Sequence, residues 1–535
     1  MPQTTISPTV VPAPTITPAP GSASLPRPTS SDTIGLATGG AKDINNFREN
    51  IRNDYLPLPT DITYEGLFYD YYFDTGAQQV PKKLFSPSYA YAVTRDPLSR
   101  QTEHYLSVGL NSGMKESDFE RKKLNLVIVL DISGSMGELY NQYYYDQSGQ
   151  RQDAYAGEGI RKLTKMDSAT DAVVSILDQL EANDSFAIVL FNSNAHISKP
   201  MGLVRNTNMN NIRYNVLDIR AGGATNMSAG MQLATDQFRN YYEVDNHEFE
   251  NRIIFLTDAQ PNTGDLSTSG MMGTMKRNAE NRIYTTFIGI GVDFNSTLIE
   301  EITKVRGANY YSVHSPYEFR QRVDEEFDYM VTPLVFNLRL SFESDGWRID
   351  QVFGSPEADQ ATGRLMTINT LFPSSREGGE TKGGLVLLKL RKMSAEAQEL
   401  INLTVTYEDR DGRSDRSDVT IGLQGISPEF FGNSGIEKGV LLSRYAALLK
   451  NWMIDERQHV QYSFPWDPSV REDTGIIIPP ETGLSQWERQ SLPLMVSEPY
   501  RNIFRDFKRH FEAEIGVIGD YTLGQELEIL DILSR

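Results

Sequence analysis

A chain of 535 residues with 51 Lys+Arg against 71 Asp+Glu has a formal net charge of −20, which disfavours nucleic acid and anionic membranes as partners because both are polyanions. It contains no cysteine, so disulfides, thiol catalysis and cysteine-bound zinc are excluded and the redox compartment is left open. No H-E-x-x-H occurs, no apolar run reaches spanning length, and the chain length calls for about two to four domains, with no direct membrane insertion expected.

Residues 1–42 are rich in Pro, Thr, Ser, Ala and Gly and nearly uncharged. Such a stretch buries too little apolar surface to offset its ordering entropy, so a disordered tail is expected. It lacks the basic start and apolar core of a secretory signal peptide; an O-glycosylatable stalk and an acid-poor transit peptide are competing readings. The aromatic run Tyr64–Phe73 is expected to pack in a core. Tyr89–Val93 and His104–Leu110 alternate at period two, so 43–121 reads as an N-terminal segment of a β-sandwich.

The run Leu124–Asp131 is apolar without alternation, as in a parallel strand covered on both faces, and it ends in Asp131, Ser133 and Ser135. A buried strand of this kind delivers its loop to the sheet edge where ligands bind. One carboxylate and two hydroxyls there are hard oxygen donors suited to Mg²⁺, with Ca²⁺ or Mn²⁺ as alternatives. The following 25 residues, Glu138–Lys162, hold five tyrosines in a polar setting, a composition suited to partner contact or to a plain surface flap. Beyond them the pattern reads helix 166–181, strands 185–192 and 195–203, helices 208–218 and 227–242, strand 252–258, helix 267–281, strand 283–290, helix 296–305, strand 309–314 and helix 316–330. Gly222–Asn226 offers Thr225 from a glycine-rich loop, and the second buried strand ends in Asp258. Each residue has an ordinary alternative: Asp131 and Asp258 as helix caps, Ser133 and Ser135 as turn residues, Thr225 as an N-cap.

From 333 the pattern returns to β, with alternation over 334–342 and 402–407 and a turn signal at Asp409–Gly412 that predicts a hairpin tip. From about 435 it turns helical: Ile436–Trp452, then Glu498–Ile515, then a short helix from Leu523, with Trp466 and Trp487 in a Pro-rich loop between the first two.

Asp131, Ser133 and Ser135 as D-x-S-x-S, Thr225 in a glycine-rich loop and Asp258 at a later strand end together resemble the metal-ion-dependent adhesion site of the von Willebrand factor type A family. The resemblance covers about 122–332. It implies that Asp131, Ser133, Ser135, Thr225 and Asp258 hold Mg²⁺ (or Ca²⁺ or Mn²⁺), with one coordination position left for a partner's Asp or Glu. The expected fold is α/β: a doubly wound, mostly parallel, Rossmann-like sheet inserted in a β-sandwich, followed by a helical region. This divides the chain into a tail (1–42), an N-terminal sandwich segment (43–121), the inserted domain (122–332), the rest of the sandwich (333–425) and C-terminal helices (426–535). The plan resembles inter-α-trypsin-inhibitor heavy chains and bacterial adhesion-site proteins.

Two functions follow from the resemblance. One is metal-dependent protein–protein interaction, adhesive or scaffolding; the other is a regulatory subunit of an ATPase or channel-type assembly. No general base or nucleophile pair accompanies Asp131 and Asp258, so no enzyme activity is expected. The family favours an extracytoplasmic or cell-surface place, and the lack of a signal peptide leaves the cytoplasm open.

Overall fold

The computed structural model describes residues 33–140, 163–241, 247–258, 270–291, 303–313, 315–357, 365–393, 400–423, 429–458 and 492–535, with a few short segments between them. The Tyr-bearing insert, the helix expected at 296–305, and Trp466 and Trp487 lie largely or wholly outside these residues.

The described residues begin inside the stretch expected to be a tail. Strand β1 (Thr33–Thr38) and the short β2 (Gly40–Ala41) are fully buried. Composition masked them: Ile34 and Leu36 form an apolar alternation too short to outweigh the polar residues before it, yet both side chains enter a core. Helices α1 (Asn45–Arg52) and α2 (Tyr64–Tyr69) follow, then β3 (Ser86–Arg95) and the long β4 (Thr102–Lys115).

The central unit comprises β5 (Lys123–Asp131), α3 (Lys165–Asp178), β6 (Ser185–Phe191), β7 (Ala195–Leu203), α4 (Met209–Leu217), α5 (Met227–Asp236), β8 (Phe249–Thr257), α6 (Met271–Glu280), β9 (Ile283–Ile290), β10 (Asn309–Val313) and α7 (Pro316–Val331). Its sheet runs β7-β6-β5-β8-β9-β10-β2; β7 is antiparallel and every other pairing is parallel. The unbroken apolar run of β5 has a direct cause. Leu124, Leu126, Ile128 and Leu130 enter the core under α3 and α7, while Val127 and Val129 enter the one under α5 and α6. A strand sandwiched between two helical layers has no polar face to show.

After α7 come β11 (Val335–Glu343), β12 (Trp347–Phe353), β13 (Leu365–Ser374), β14 (Leu385–Lys392), β15 (Leu400–Asp409) and β16 (Ser414–Gly422). β15 and β16 make the hairpin that Asp409–Gly412 announces. Strand β4 joins the two halves of one continuous ten-stranded sheet. Its first part, from His104 to Gly109, pairs with β14, and Asn111 and Lys115 pair with β1. One layer is therefore β3-β4-β14-β12, the other β1-β13-β11-β15-β16, and one apolar core lies between them. Strands from both sides of the central unit thus share a single sandwich.

Helices α8 (Ser434–Gln458), α9 (Glu498–Ile518) and α10 (Gly524–Ser534) complete the chain. They pack with α1 and α2 and with Ala92, Tyr105, Phe353, Leu385 and Leu387 of the sandwich. Residues 44–73, expected in the sandwich, thus belong mostly to this helical layer. Their apolar residues sit at helical spacing in α1 and α2, so they have one face to bury and the C-terminal helices cover it.

Candidate metal centre

β5 lies inside the central sheet, between β6 and β8. The chain leaves it toward β6 on one side and, after crossing over, leaves β8 toward β9 on the other. The carboxyl ends of β5 and β8 therefore flank the point where strand order reverses, where open α/β sheets bind ligands. Asp131 ends β5, and Asp258 stands one residue beyond β8; both side chains are fully buried. The loop before α5 closes over the loop after β5: Gly134 N–H donates to Gly223 O at 2.8 Å and Gly222 N–H to Ile132 O at 2.7 Å. These two backbone bonds bring Thr225, two residues beyond Gly223 and 1% exposed, to the same edge.

Asp131 is held at both oxygens. Its Oδ1 accepts from Ser133 N–H at 2.9 Å and its Oδ2 from the Thr257 hydroxyl at 2.7 Å. The hydroxyls of buried Ser133 and half-buried Ser135 stand 3.1 Å apart. Burial, and after it the neighbouring Asp258 carboxylate, raise the Asp131 carboxyl above its usual range, against the opposing bonds from Thr257 and Ser133. Asp258 Oδ2 takes the Lys165 ammonium at 3.1 Å, with both side chains at 0% exposure. Asp258 Oδ1 is buried with no hydrogen-bond partner among the described residues.

The capping alternatives can be weighed from the helix ends. Thr164 caps α3, accepting from Asp167 N–H at 3.1 Å and completing a reciprocal capping box. Asn226 caps α5, accepting from Ala229 N–H at 3.1 Å, so Thr225 is spared that task. Gly270 stands at the cap of α6, which leaves Asp258 no described helix to cap. Ser133 precedes the short 3₁₀ turn Gly134–Gly137 without a side-chain capping bond.

Two residues of the site escaped sequence reasoning. Thr257 had a usable signal, since a hydroxyl next to Asp258 at the end of a strand beside β5 falls level with Asp131. Lys165 had none; a lysine in the first turn of a helix reads as surface. The residues fit a hard divalent cation on their chemistry. Among the described residues no three carboxylate or imidazole side chains converge, so the donors are two carboxylates and neutral hydroxyls. The buried orphan oxygen of Asp258 is the kind of atom that such an ion satisfies.

The family model of the von Willebrand factor type A domain matches residues 126–260, the stretch that contains most of β5, all of β8 and all five residues. The central unit is a von Willebrand factor type A domain. Its relatives include inter-α-trypsin inhibitor heavy chain H2 of Sus scrofa, 21% identical over 222 residues, which are 41% of this chain and 21% of that protein. Heavy chain H4 of Homo sapiens is 22% identical over 230 residues, again 41% and 21% of the two chains. The chain thus spans about a fifth of the length of the curated relatives it matches. Among solved structures, a von Willebrand factor type A protein from Catenulispora acidiphila aligns at 13% identity over 70% of this chain and 82% of its own, with a TM-score of 0.41. The ArnB paralog VWA2 from Sulfolobus acidocaldarius aligns at 13% identity over 84% and 97%, with a TM-score of 0.38. No helix among the described residues is long and apolar enough to cross a membrane.

Proposed function

We propose that this chain is a metal-dependent protein–protein interaction module whose type A domain captures an Asp or Glu of its partner. The observation that carries this reading is the convergence of buried Asp131, Ser133 and Asp258 at the switch point of the sheet, with Asp258 Oδ1 unpartnered among the described residues. Asp131, Ser133, Ser135, Thr225 and Asp258 are the residues that would hold the ion, with Mg²⁺ first and Ca²⁺ or Mn²⁺ as alternatives. When bound, the cation supplies a Lewis-acid position at which an acidic side chain is gripped more firmly than water.

The chain's own residues prepare that position. Ser133 N–H and Thr257 fix Asp131 so that its carboxylate does not swing. Ser133, Ser135 and Thr225 offer oxygens without negative charge, so Asp131 and Asp258 alone do not over-neutralise a divalent ion. This matters because a net charge of −20 opposes the approach of an acidic partner. Among the described residues nothing beside the two aspartates resembles a nucleophile with its base, so the role proposed is binding.

Asp131→Ala is expected to abolish Mg²⁺ and Mn²⁺ binding in isothermal titration and to leave the thermal melt cooperative. Protein captured on the wild-type chain should be released by EDTA and absent from the variant. Unchanged metal affinity in Asp131→Ala would sink the assignment; partner capture that survives both EDTA and the substitution would move recognition elsewhere.

A further inference from the structure

We propose that Lys165 is a resident cation of the site, which balances Asp258 when no metal is bound, weakens metal affinity, and leaves the loaded site more positive toward an acidic partner. This rests on the metal reading above and concerns a residue outside the five-residue pattern.

The geometry is specific. Lys165 Nζ lies 3.1 Å from Asp258 Oδ2, and neither side chain is exposed. The lysine backbone is locked as well. Lys165 N–H donates to Glu138 O at 3.0 Å, Tyr140 N–H donates to Leu163 O at 3.0 Å, and Leu139 bridges Thr164. These bonds close the base of the insert and set Lys165 in the first turn of α3, directly after the residue that caps it. Held at its backbone and at its tip, this ammonium is a fixed charge of the site and not a surface lysine in a chance pose.

The charge balance gives the proposal its content. Asp131 and Asp258 contribute two negative charges, and Lys165 contributes one positive charge. Without metal, the ammonium relieves the repulsion of two buried carboxylates on adjacent strands. Asp131 and Asp258 would hold a divalent ion in competition with that ammonium, which already occupies Asp258 Oδ2. The loaded site then keeps a net positive charge where the five-residue set alone would be neutral, and in a buried setting that excess is felt strongly.

A purely supporting partner of Asp258 predicts the opposite sign. Removing a group that merely orients a metal-binding side chain lowers affinity, typically by about 10–100-fold. Removing a competing charge raises it. Lys165→Met and Lys165→Gln in the full chain, titrated with Mg²⁺ and Mn²⁺, are therefore expected to bind at least ~10-fold more tightly than wild type. In EDTA both should melt at lower temperature than wild type, because the buried Asp258 carboxylate loses the ammonium that stands 3.1 Å from its Oδ2. Millimolar Mg²⁺ should raise their melting temperature by more than it raises the wild type's.

Equal or weaker metal affinity in the two variants, with the wild type binding, would overturn the role of Lys165 and leave the metal site standing. Failure of both variants to fold even in millimolar Mg²⁺ would overturn it too, since the ion should replace the missing charge. If the wild type and both variants all bind neither ion, the metal reading fails first and the inference falls with it.

Discussion

Glu250, the second residue of β8, and Asp258, one residue beyond its end, are both buried carboxylates but have different neighbours. Asp258 has the Lys165 ammonium against it. Glu250 lies near Arg252 and Lys122, yet its Oε1 has no hydrogen-bond partner among the described residues. Burial dominates and pushes the Glu250 carboxyl up to about 7, with Arg252 and then Lys122 opposing it. The sign of the pH effect follows. Below about 4.5 the group is protonated in both folded and unfolded chains, and the fold suffers no penalty there. Between 4.5 and 7 the unfolded chain sheds its proton first, so stability falls through that window and levels off above it. The loss is on the order of 3 kcal/mol for one group shifted this far. Glu250→Gln should flatten that part of the profile: the difference between urea unfolding free energies at pH 5 and pH 7.5 should shrink by about this amount relative to wild type. An identical difference in the variant would mean that Glu250 is already ionised in the fold.

At the scale of single elements, packing and intrinsic preference can be set against each other in two helices. Near the start of α8, a Cβ on Gly435 would lie 1.9 Å from the backbone carbonyl oxygen of Asp74. Alanine is the better helix former by about 1 kcal/mol, but backbone cannot yield cheaply, so Gly435→Ala should lower stability by about 1–3 kcal/mol. In α9 a Cβ on Gly516 meets nothing within 4 Å. There propensity should win, and Gly516→Ala should raise stability by about 0.5–1 kcal/mol. Urea unfolding of the two variants decides; a Gly435→Ala protein as stable as wild type would show that α8 is not seated against Asp74. α8 is buried on most of its surface, including Tyr445, Leu449, Trp452 and Met453. A central helix of this kind has little room to shift.

For the whole molecule, sequence distance and spatial distance part company. The buried guanidinium of Arg48 bonds to Asp70 at 2.6 Å and also pairs with Glu526, near the far end of the chain; Tyr71 donates to the same carboxylate at 2.7 Å. β1 is inserted between β4 and β13, and β2 extends the central sheet beyond β10. Strands β11 to β16 therefore depend on residues before the type A domain for their neighbours. A fragment of residues 333–423 is expected to lack a cooperative melt and to give a collapsed NMR spectrum, because β13 and β14 would present open edges where β1 and β4 belong. A dispersed spectrum with a sharp melt from that fragment would show that the two halves of the sandwich are independent.

The type A domain was readable from the sequence because its strands are short apolar runs and its helices have clear periods. β9 falls at 283–290 as the pattern indicates, and β5 begins one residue earlier than expected. α5 stops at Asp236, short of the expected 242, because Phe238 and Tyr241 continue the apolar pattern into a turn. The positions of the five candidate residues were legible since each sits at a strand end, in the turn that follows it or in a glycine-rich loop, all set by local pattern. Three things depended on the tertiary structure. β1 and β2 hid in a Pro- and Ser-rich stretch because strand pairing, not composition, stabilises six residues. The helical layer joined α1 and α2 to α8–α10 because apolar faces do not encode which other face will cover them. Lys165 reached Asp258 across 93 positions, and no local pattern records which buried charges will meet, since only the closed fold brings them together.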